Sequence, residues 1–195
     1  MTDAVQPKTW LKAYYAVRAL VSAAWVALAF TVAKSHPPLA IALLIAYPAW
    51  DSLANLYDAK RSGGLRANPA QAGNMAVSAV VTLAVAVTAA RDLHLTIGVI
   101  GLWAILAGLF QLATALRRRR SAGAQWPMIL SGAQSSLAGA FFLSKAADAS
   151  TMPGIADVAP YAAFGAVYFA ISALTLALSA PKTSSDTSAS LTRSS

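Results

Sequence analysis

The chain has 195 residues, of which 57% are hydrophobic and only 11% are charged, against about 25% charged residues in an average soluble domain. This composition excludes an ordinary water-soluble domain and indicates a membrane protein. The sequence contains no cysteine, which excludes disulfides, thiolate nucleophiles and cysteine-ligated metal sites.

The formal net charge of +8 arises because 15 Lys and Arg residues face only seven acids, all of them aspartates. A basic balance is typical of nucleic-acid-binding domains, but such domains gather their basic residues on one soluble face. Here the basic residues flank apolar runs instead. The sequence therefore predicts the lipid bilayer as a partner and no nucleic acid.

Six apolar segments follow one another along the chain, and most approach the roughly 20 residues that cross a bilayer core of about 30 Å. They cover residues 13–33, 37–57, 74–90, 95–116, 126–144 and 158–180. The first is longer than the apolar run of a typical signal peptide, so we expect a retained helix. We predict an all-α polytopic membrane protein with a cytoplasmic N-terminus at 1–12, a six-helix transmembrane domain at 13–180 and a disordered Ser/Thr-rich tail at 181–195.

Positive charges between the segments predict the orientation of the chain. The N-terminus, the links after the second and fourth segments and the tail together hold eleven Lys and Arg residues, whereas the opposite side holds three. Since cytoplasmic loops of membrane proteins carry the excess of Lys and Arg, both termini are expected in the cytoplasm. Termini on the same side require an even number of spans, which favours six over five.

A short pattern recurs in the even-numbered segments: a small residue, a polar residue three positions later, and then leucine. It appears in Ser52-Leu-Ala-Asn55-Leu, Gly108-Leu-Phe-Gln111-Leu and Ser172-Ala-Leu-Thr175-Leu. The odd-numbered segments carry a weaker echo in Val21-Ser22-Ala23, Val77-Ser78-Ala79 and Leu130-Ser131-Gly132. The chain is therefore predicted to contain three copies of a helical hairpin, at about 13–57, 74–116 and 126–180.

Tandem hairpins with these features resemble the HdeD-like family of bacterial inner-membrane proteins, which is associated with acid resistance. In that family the second helix carries an aromatic residue, a small-residue step, a polar residue and then basic residues. The matching stretches run from Ala46 to Asn55 before Lys60-Arg61, and from Gly101 to Leu112 before the arginines that start at Arg117. The resemblance spans residues 13–180 and implies a multi-pass protein of the bacterial inner (cytoplasmic) membrane, linked to acid or envelope stress.

The second segment carries polar residues on one helical face. Asp51, Asn55 and Asp58 are spaced by four and three residues, so they share that face. Asp51 lies on the order of 9 Å inside the segment, and Arg18 of the antiparallel first segment lies at a similar depth. Because a lone charge costs about 2.5 to 3.5 kcal/mol at the centre of a spanning helix, the two residues are expected to form an ion pair.

Two roles are open for this pair. Arg18 and Asp51 either lock the first two helices together, or Asp51 titrates or contacts a substrate, as intramembrane ionisable residues often do. Gln111 and Gln134 lie inside the fourth and fifth segments, where hydrogen bonding between helices is the simpler role. The candidate intramembrane polar cluster comprises Arg18, Asp51, Asn55, Asp58, Gln111 and Gln134. Of these, Asp58 stands next to Lys60 and Arg61 and is expected at the cytoplasmic interface, as a solvated helix end.

The fourth segment ends in four consecutive arginines, Arg117, Arg118, Arg119 and Arg120. We predict that they fix the topology. They can also attract anionic lipid head groups, at about 1 kcal/mol for each basic residue near the surface.

Small residues form two smooth helix faces in the second half of the chain. One face carries Ser131, Ser135 and Gly139, and the other carries Gly101, Ala104 and Gly108. Such faces allow helices to approach closely within the chain or between chains, which leaves a homo-oligomer open.

The sequence carries no recognisable catalytic signature: it lacks HExxH, GxSxG and Walker motifs and has no glutamate for a carboxylate dyad. Haem or di-iron chemistry would need histidines within the helices, and both histidines lie at segment edges. We therefore expect no enzymatic activity, no cofactor and no metal. The sequence favours a non-enzymatic, stress-linked membrane protein, and the alternative is a small proton-coupled transporter or channel that uses Arg18 and Asp51.

Overall fold

Six long helices make up the fold in the computed structural model, which describes residues 6–118 and 126–178. They are α1 Gln6–Thr31, α2 Pro37–Arg61, α3 Pro69–Thr88, α4 Leu93–Arg118, α5 Trp126–Ala147 and α6 Ile155–Leu178. A short 3-10 turn, Ala33–Ser35, joins α1 to α2. The described residues contain no β-strand, which confirms the prediction of an all-helical chain. The predicted tail at 181–195 lies outside the described residues.

Five of the helices, α1, α2, α3, α4 and α6, are long and apolar enough to cross a membrane. α5 has 22 residues but is not among the five, because its serines, Gln134 and Lys145 lower the mean hydropathy of its described residues. Gln134 and two of those serines face the interior of the bundle. The predicted six spans are therefore supported for five helices by hydropathy, with α5 packed among them.

The links between helices explain where α2 ends and where α3 begins. α2 continues to Arg61 and stops where Gly63 and Gly64 adopt φ values of 98° and 92°, a region that favours glycine. The Gly64 N–H donates to the Ala59 carbonyl at 2.7 Å and so satisfies a helix-terminal acceptor. α3 begins at Pro69, five residues before the predicted segment, since proline suits the first helical turn.

The helices form a closed ring in chain order, because α1 also packs against α6. The closest neighbours are α4 with α5, α1 with α6 and α2 with α3, whereas α1 with α2 and α5 with α6 touch sparsely. The two helices of a predicted hairpin thus follow each other in the chain, but the closest packing is between helices of different hairpins.

The α4–α5 pair is the tightest because glycines face each other across it. Gly101 lies opposite Gly139 and Gly108 lies opposite Gly132, as expected for antiparallel helices. A Cβ atom built on Gly108 would lie 2.5 Å from the Gly132 carbonyl oxygen. Only glycine allows the two backbones to come this close, which places the smooth faces predicted from the sequence within one chain.

The two ends of the ring differ in their interior. We call the end where α1 begins and where the link 62–68 lies the basic end, and the opposite end the far end. The half of the ring toward the far end is filled by a buried apolar cluster that includes Trp25, Leu44, Val85, Ile100, Phe142 and Val158. The half toward the basic end is hollow.

Candidate functional site

A polar chamber of ≈500 Å³ occupies the hollow half of the ring. Every one of the six helices contributes to its wall, through residues such as Tyr14, Asp51, Asn74, Phe110, Gln134 and Phe169. The loose α1–α2 and α5–α6 contacts account for the space, since helices that do not pack side by side leave room between them. Within a largely apolar bundle, this chamber is where polar side chains converge.

An ion pair between Arg18 and Asp51 crosses from α1 to α2 in the wall of the chamber. The exposed fractions of the two side chains are 12% and 21%, so both charges are largely removed from solvent. The Arg18 guanidinium also donates to the Tyr14 hydroxyl at 3.0 Å, and that hydroxyl donates to the Ala54 carbonyl at 3.2 Å. These contacts hold α1 to α2 where the two backbones otherwise barely touch.

The second carboxylate oxygen of Asp51 extends the network to α3 and α4. It accepts hydrogen bonds from the Asn55 amide and the Ser78 hydroxyl, each at 2.9 Å. The Ser78 hydroxyl in turn accepts a bond from the Trp103 indole N–H at 3.0 Å. Asp51 therefore connects four helices, and both of its oxygens are engaged.

An aromatic layer closes the chamber toward the far end. Tyr47, Trp103 and Tyr161 come from α2, α4 and α6, the second helix of each predicted hairpin. Their rings meet edge to face, with centroids 5.4 Å apart for Tyr47 and Trp103 and 6.3 Å apart for Tyr47 and Tyr161. Trp25 stacks on Tyr47 at 4.9 Å and Phe142 packs on Tyr161 at 5.9 Å, which joins the layer to the apolar cluster beyond it.

The hydrogen bonds of Ser135 fix the α5 and α6 side of this layer. Its hydroxyl lies 2.8 Å from the Ala104 carbonyl oxygen and 2.9 Å from the Tyr161 hydroxyl oxygen. α5 thereby positions an aromatic ring of α6 although the two helices make few backbone contacts.

Aromatic rings form much of the remaining chamber wall, including Tyr15, Trp50, Phe110, Phe164, Tyr168 and Phe169. The Arg18 guanidinium carbon already lies over the Phe169 ring, 4.1 Å from its centroid. Two buried donors, Arg18 Nε and Trp50 Nε1, have no hydrogen-bond partner among the described residues.

Among the described residues of the chamber wall, the charged side chains are Arg18, Asp51 and Asp58, so that carboxylates exceed cations by one. Arg18 is matched by Asp51, whereas Asp58 forms no ion pair with any cation whose side chain the structure describes. Asp58 lies nearer the basic end, where the Gln71 amide donates to it at 3.5 Å and the Ser62 hydroxyl at 3.2 Å. The described wall therefore favours positive charge in the chamber. No cluster of three or more metal-binding side chains occurs within the described ranges.

The structure brings together all six residues of the predicted polar cluster. Arg18, Asp51, Asn55, Asp58, Gln111 and Gln134 all lie in the chamber wall. The side-chain amide oxygen of Gln111 accepts a long hydrogen bond of 3.5 Å from the Ser131 hydroxyl, which links α4 to α5. Of the predicted lipid-contacting arginines, the side chains of Arg117 and Arg118 and the whole of Arg119 and Arg120 lie outside the described residues.

Sequence reasoning missed several chamber residues. Ser78 was visible only as a position in the weaker repeat, and Tyr14 gave no signal of its own. Trp103 and Tyr161 gave no polar signal, because an aromatic residue in an apolar helix most often packs. Tyr47 and Trp103 each stand five residues before the small residue of the repeated pattern, at Ser52 and Gly108, and that shared position was the signal for this part of the layer. Tyr161 stands eleven residues before Ser172 and gave no such signal.

Comparison with known proteins gives one match. The model of a family described as a short repeat of unknown function (DUF308) matches residues 75–144, which cover most of α3, all of α4 and most of α5. No curated protein and no solved structure matches the chain. The apolar helices together with this similarity to a membrane-protein repeat indicate a multi-pass membrane protein.

Proposed function

We propose that this protein is a non-enzymatic membrane protein of the HdeD-like type that binds a small organic cation in its chamber. The observation that carries the proposal is the chamber itself, which all six helices line and whose described wall residues include one carboxylate more than cations. Pockets of about 300–1,000 Å³ lined by aromatic residues and a few polar groups are typical of small-molecule sites.

The aromatic wall supports a cation as the ligand. Ring faces attract positive charge, and the attraction reaches about 2 kcal/mol when the cation loses its water. The stacking of Arg18 on Phe169 demonstrates that this wall accommodates a cation on a ring face. Because Arg18 is already paired with Asp51, Asp58, which has no ion-pair partner among the described side chains, is the group that would attract a second cation.

Choline and its uncharged analogue 3,3-dimethyl-1-butanol provide the test, since they share shape and differ in charge. Binding to the purified protein in lipid nanodiscs is measured by isothermal titration calorimetry. We expect choline to bind more tightly than the alcohol. The variant Asp58→Asn should weaken choline binding by about tenfold, the order expected for one unit charge across a partly hydrated chamber.

The matched control is Asp148→Asn, which removes a carboxylate from the exposed link between α5 and α6. Its affinity for choline should equal that of the natural protein. Equal affinities for choline and the alcohol, or no binding of either, would overturn the organic-cation proposal.

A transporter or channel built on Arg18 and Asp51 is the alternative function. The aromatic layer and the apolar cluster close the chamber at its far end, so passage of a solute requires that layer to open. The engagement of both Asp51 oxygens supports a structural lock. Proton flux into proteoliposomes that is present in the natural protein and lost in Asp51→Asn would favour transport; the absence of flux above empty liposomes would favour the lock.

The biological setting that we propose is acid or envelope stress at the bacterial inner membrane. The support is the resemblance to HdeD-like proteins together with the repeat match over residues 75–144. Survival of a deletion strain at low pH tests it. We expect survival to fall and to recover with the natural gene but less with the Asp58→Asn variant.

A further inference from the structure

A second cavity lies on the outer side of the ring, between α1 and α2. It is a groove of ≈490 Å³ with an almost entirely apolar lining, to which α1 contributes Val21, Ala24 and Leu28 and α2 contributes Leu43, Ala46 and Leu53. The groove exists because these two helices touch sparsely and because small side chains lie at its edges. In a membrane it faces the hydrocarbon of the bilayer.

The groove and the chamber share part of their walls. Ser22, Tyr47 and Trp50 line both cavities, so these three side chains lie between the lipid side and the polar interior. The Trp50 indole N–H is buried at this boundary without a partner among the described residues. An apolar groove that shares part of its wall with a polar chamber is suited to a ligand with an apolar part and a polar part.

We infer that the groove between α1 and α2 holds the hydrocarbon chain of a single-chain cationic amphiphile whose head group lies in the chamber. This inference rests on the proposed function, because the head group is the organic cation proposed there. The chain stays in an apolar environment while the cation reaches the aromatic wall and the excess carboxylate of Asp58. The ligand therefore enters sideways from the bilayer, past Trp50, and the closed far end is no obstacle.

The test uses alkyltrimethylammonium ions of increasing chain length, from ethyl to octyl, with the full chain in zwitterionic lipid nanodiscs. Nanodiscs are preferred because a detergent tail would compete for the groove. Affinity is expressed relative to the free ligand in water, and binding to protein-free nanodiscs is subtracted. On this scale we expect the affinity to rise about fourfold for each added methylene. An octyl probe with a terminal bromine should quench tryptophan fluorescence, since Trp25 and Trp50 line the groove.

Two alanines of α1 give a matched pair of variants. Ala24 lines the groove and Ala27 does not, although both are exposed on the same helix. Ala24→Leu fills the groove and should weaken octyltrimethylammonium at least tenfold while it leaves ethyltrimethylammonium unchanged. Ala27→Leu should change neither affinity.

The outcomes separate the two proposals. If no alkylammonium ion of any length binds, the proposed function fails and the groove inference fails with it. If ethyltrimethylammonium binds but chain length has no effect, or if Ala24→Leu and Ala27→Leu behave alike, the chamber proposal stands and the groove inference is overturned.

Discussion

Arg18 and Asp51 show how two charged residues are accommodated inside an apolar helix ring. Each would be costly alone, and the structure distributes their charge over Tyr14, Asn55 and Ser78 as well as over the pair. Removal of one partner of a buried pair typically costs more than the pair contributes, because the remaining charge is left without compensation. The two residues are therefore best tested together.

Substitution of either residue alone should destabilise the protein. We expect Arg18→Met or Asp51→Asn to cost about 3 kcal/mol, because each leaves one buried charge unpaired. The double variant should cost less than the sum of the two single variants. Apparent melting temperatures in detergent, followed by circular dichroism, measure the difference.

The second described ion pair supplies the control. Lys145 and Asp157 lie 3.6 Å apart near the far end, with side chains 31% and 23% exposed. Lys145→Met and Asp157→Asn should each cost no more than about 1 kcal/mol, because at 3.6 Å the pair is long and the Lys145 side chain is almost a third exposed beside the link between α5 and α6. Additive effects at Arg18 and Asp51 would contradict the role of that pair as a lock.

Among the helices, α4 and α5 show how small residues determine which pairs pack tightly. Their facing glycines let backbone approach backbone, whereas α1 and α2 touch sparsely. Packing and weak interhelical contacts drive helix association in membranes, since lipid tails are as apolar as leucine. The pattern of small residues therefore decides which pair packs most tightly, here α4 with α5.

A methyl group added at Gly108 should disrupt the α4–α5 pair. Its Cβ would lie 2.5 Å from the Gly132 carbonyl oxygen and 2.8 Å from the Ser136 nitrogen, so a backbone must move. We expect Gly108→Ala to cost about 2 kcal/mol, in the range of overpacked cores. The control is Gly165→Ala in α6, where a Cβ meets nothing within 4 Å and no loss of thermal stability is expected.

The link between α5 and α6 is organised by one exposed carboxylate. The Ser150 hydroxyl and N–H and the Thr151 hydroxyl donate to Asp148, and these hydrogen bonds lower the pKa of its carboxyl below the ordinary value. A lowered folded pKa means that the turn is stabilised above the ordinary aspartate pKa. That contribution is lost as the pH falls through the lowered value.

Carboxyl NMR titration of aspartate-labelled protein tests this turn. In the natural protein Asp148 should titrate below an ordinary aspartate, because the donors favour its ionised form. Ser150→Ala removes the hydroxyl donor, which is the largest cause of the shift, and should raise the pKa of Asp148 toward its ordinary value. An unchanged pKa in Ser150→Ala would show that the hydroxyl does not act on the carboxyl.

The molecule as a whole combines a hollow half and a filled half. The chamber lies toward the basic end, and the aromatic layer and apolar cluster separate it from the far end. The charge bias predicts that the chamber lies in the cytoplasmic half of the membrane.

Single cysteines can determine the orientation directly, since the natural chain has none. Ala67 lies in the link at the basic end and Ala149 in the link at the far end, and both are exposed. A membrane-impermeant maleimide applied to intact cells should label Ala149→Cys and spare Ala67→Cys until the cells are permeabilised. The reverse pattern would invert the predicted topology.

The sequence by itself determined the helical class, the approximate helix bounds and the polar residues that converge in the chamber. These follow from local properties: the length of apolar runs, the spacing of Asp51, Asn55 and Asp58 along a helix, and the cost of an unpaired charge in hydrocarbon. The predicted meeting of Arg18 and Asp51 also needed only equal depth in antiparallel neighbours.

Only the tertiary structure decided which helices pack tightly and which stand apart. The aromatic layer of Tyr47, Trp103 and Tyr161 joins residues far apart in the chain, and the groove beside Trp50 is a space that no residue occupies. Local sequence patterns do not specify such features, because they depend on the relative distances and rotations of complete helices. These distances and rotations are set by how the side chains pack at all helix interfaces of the ring together.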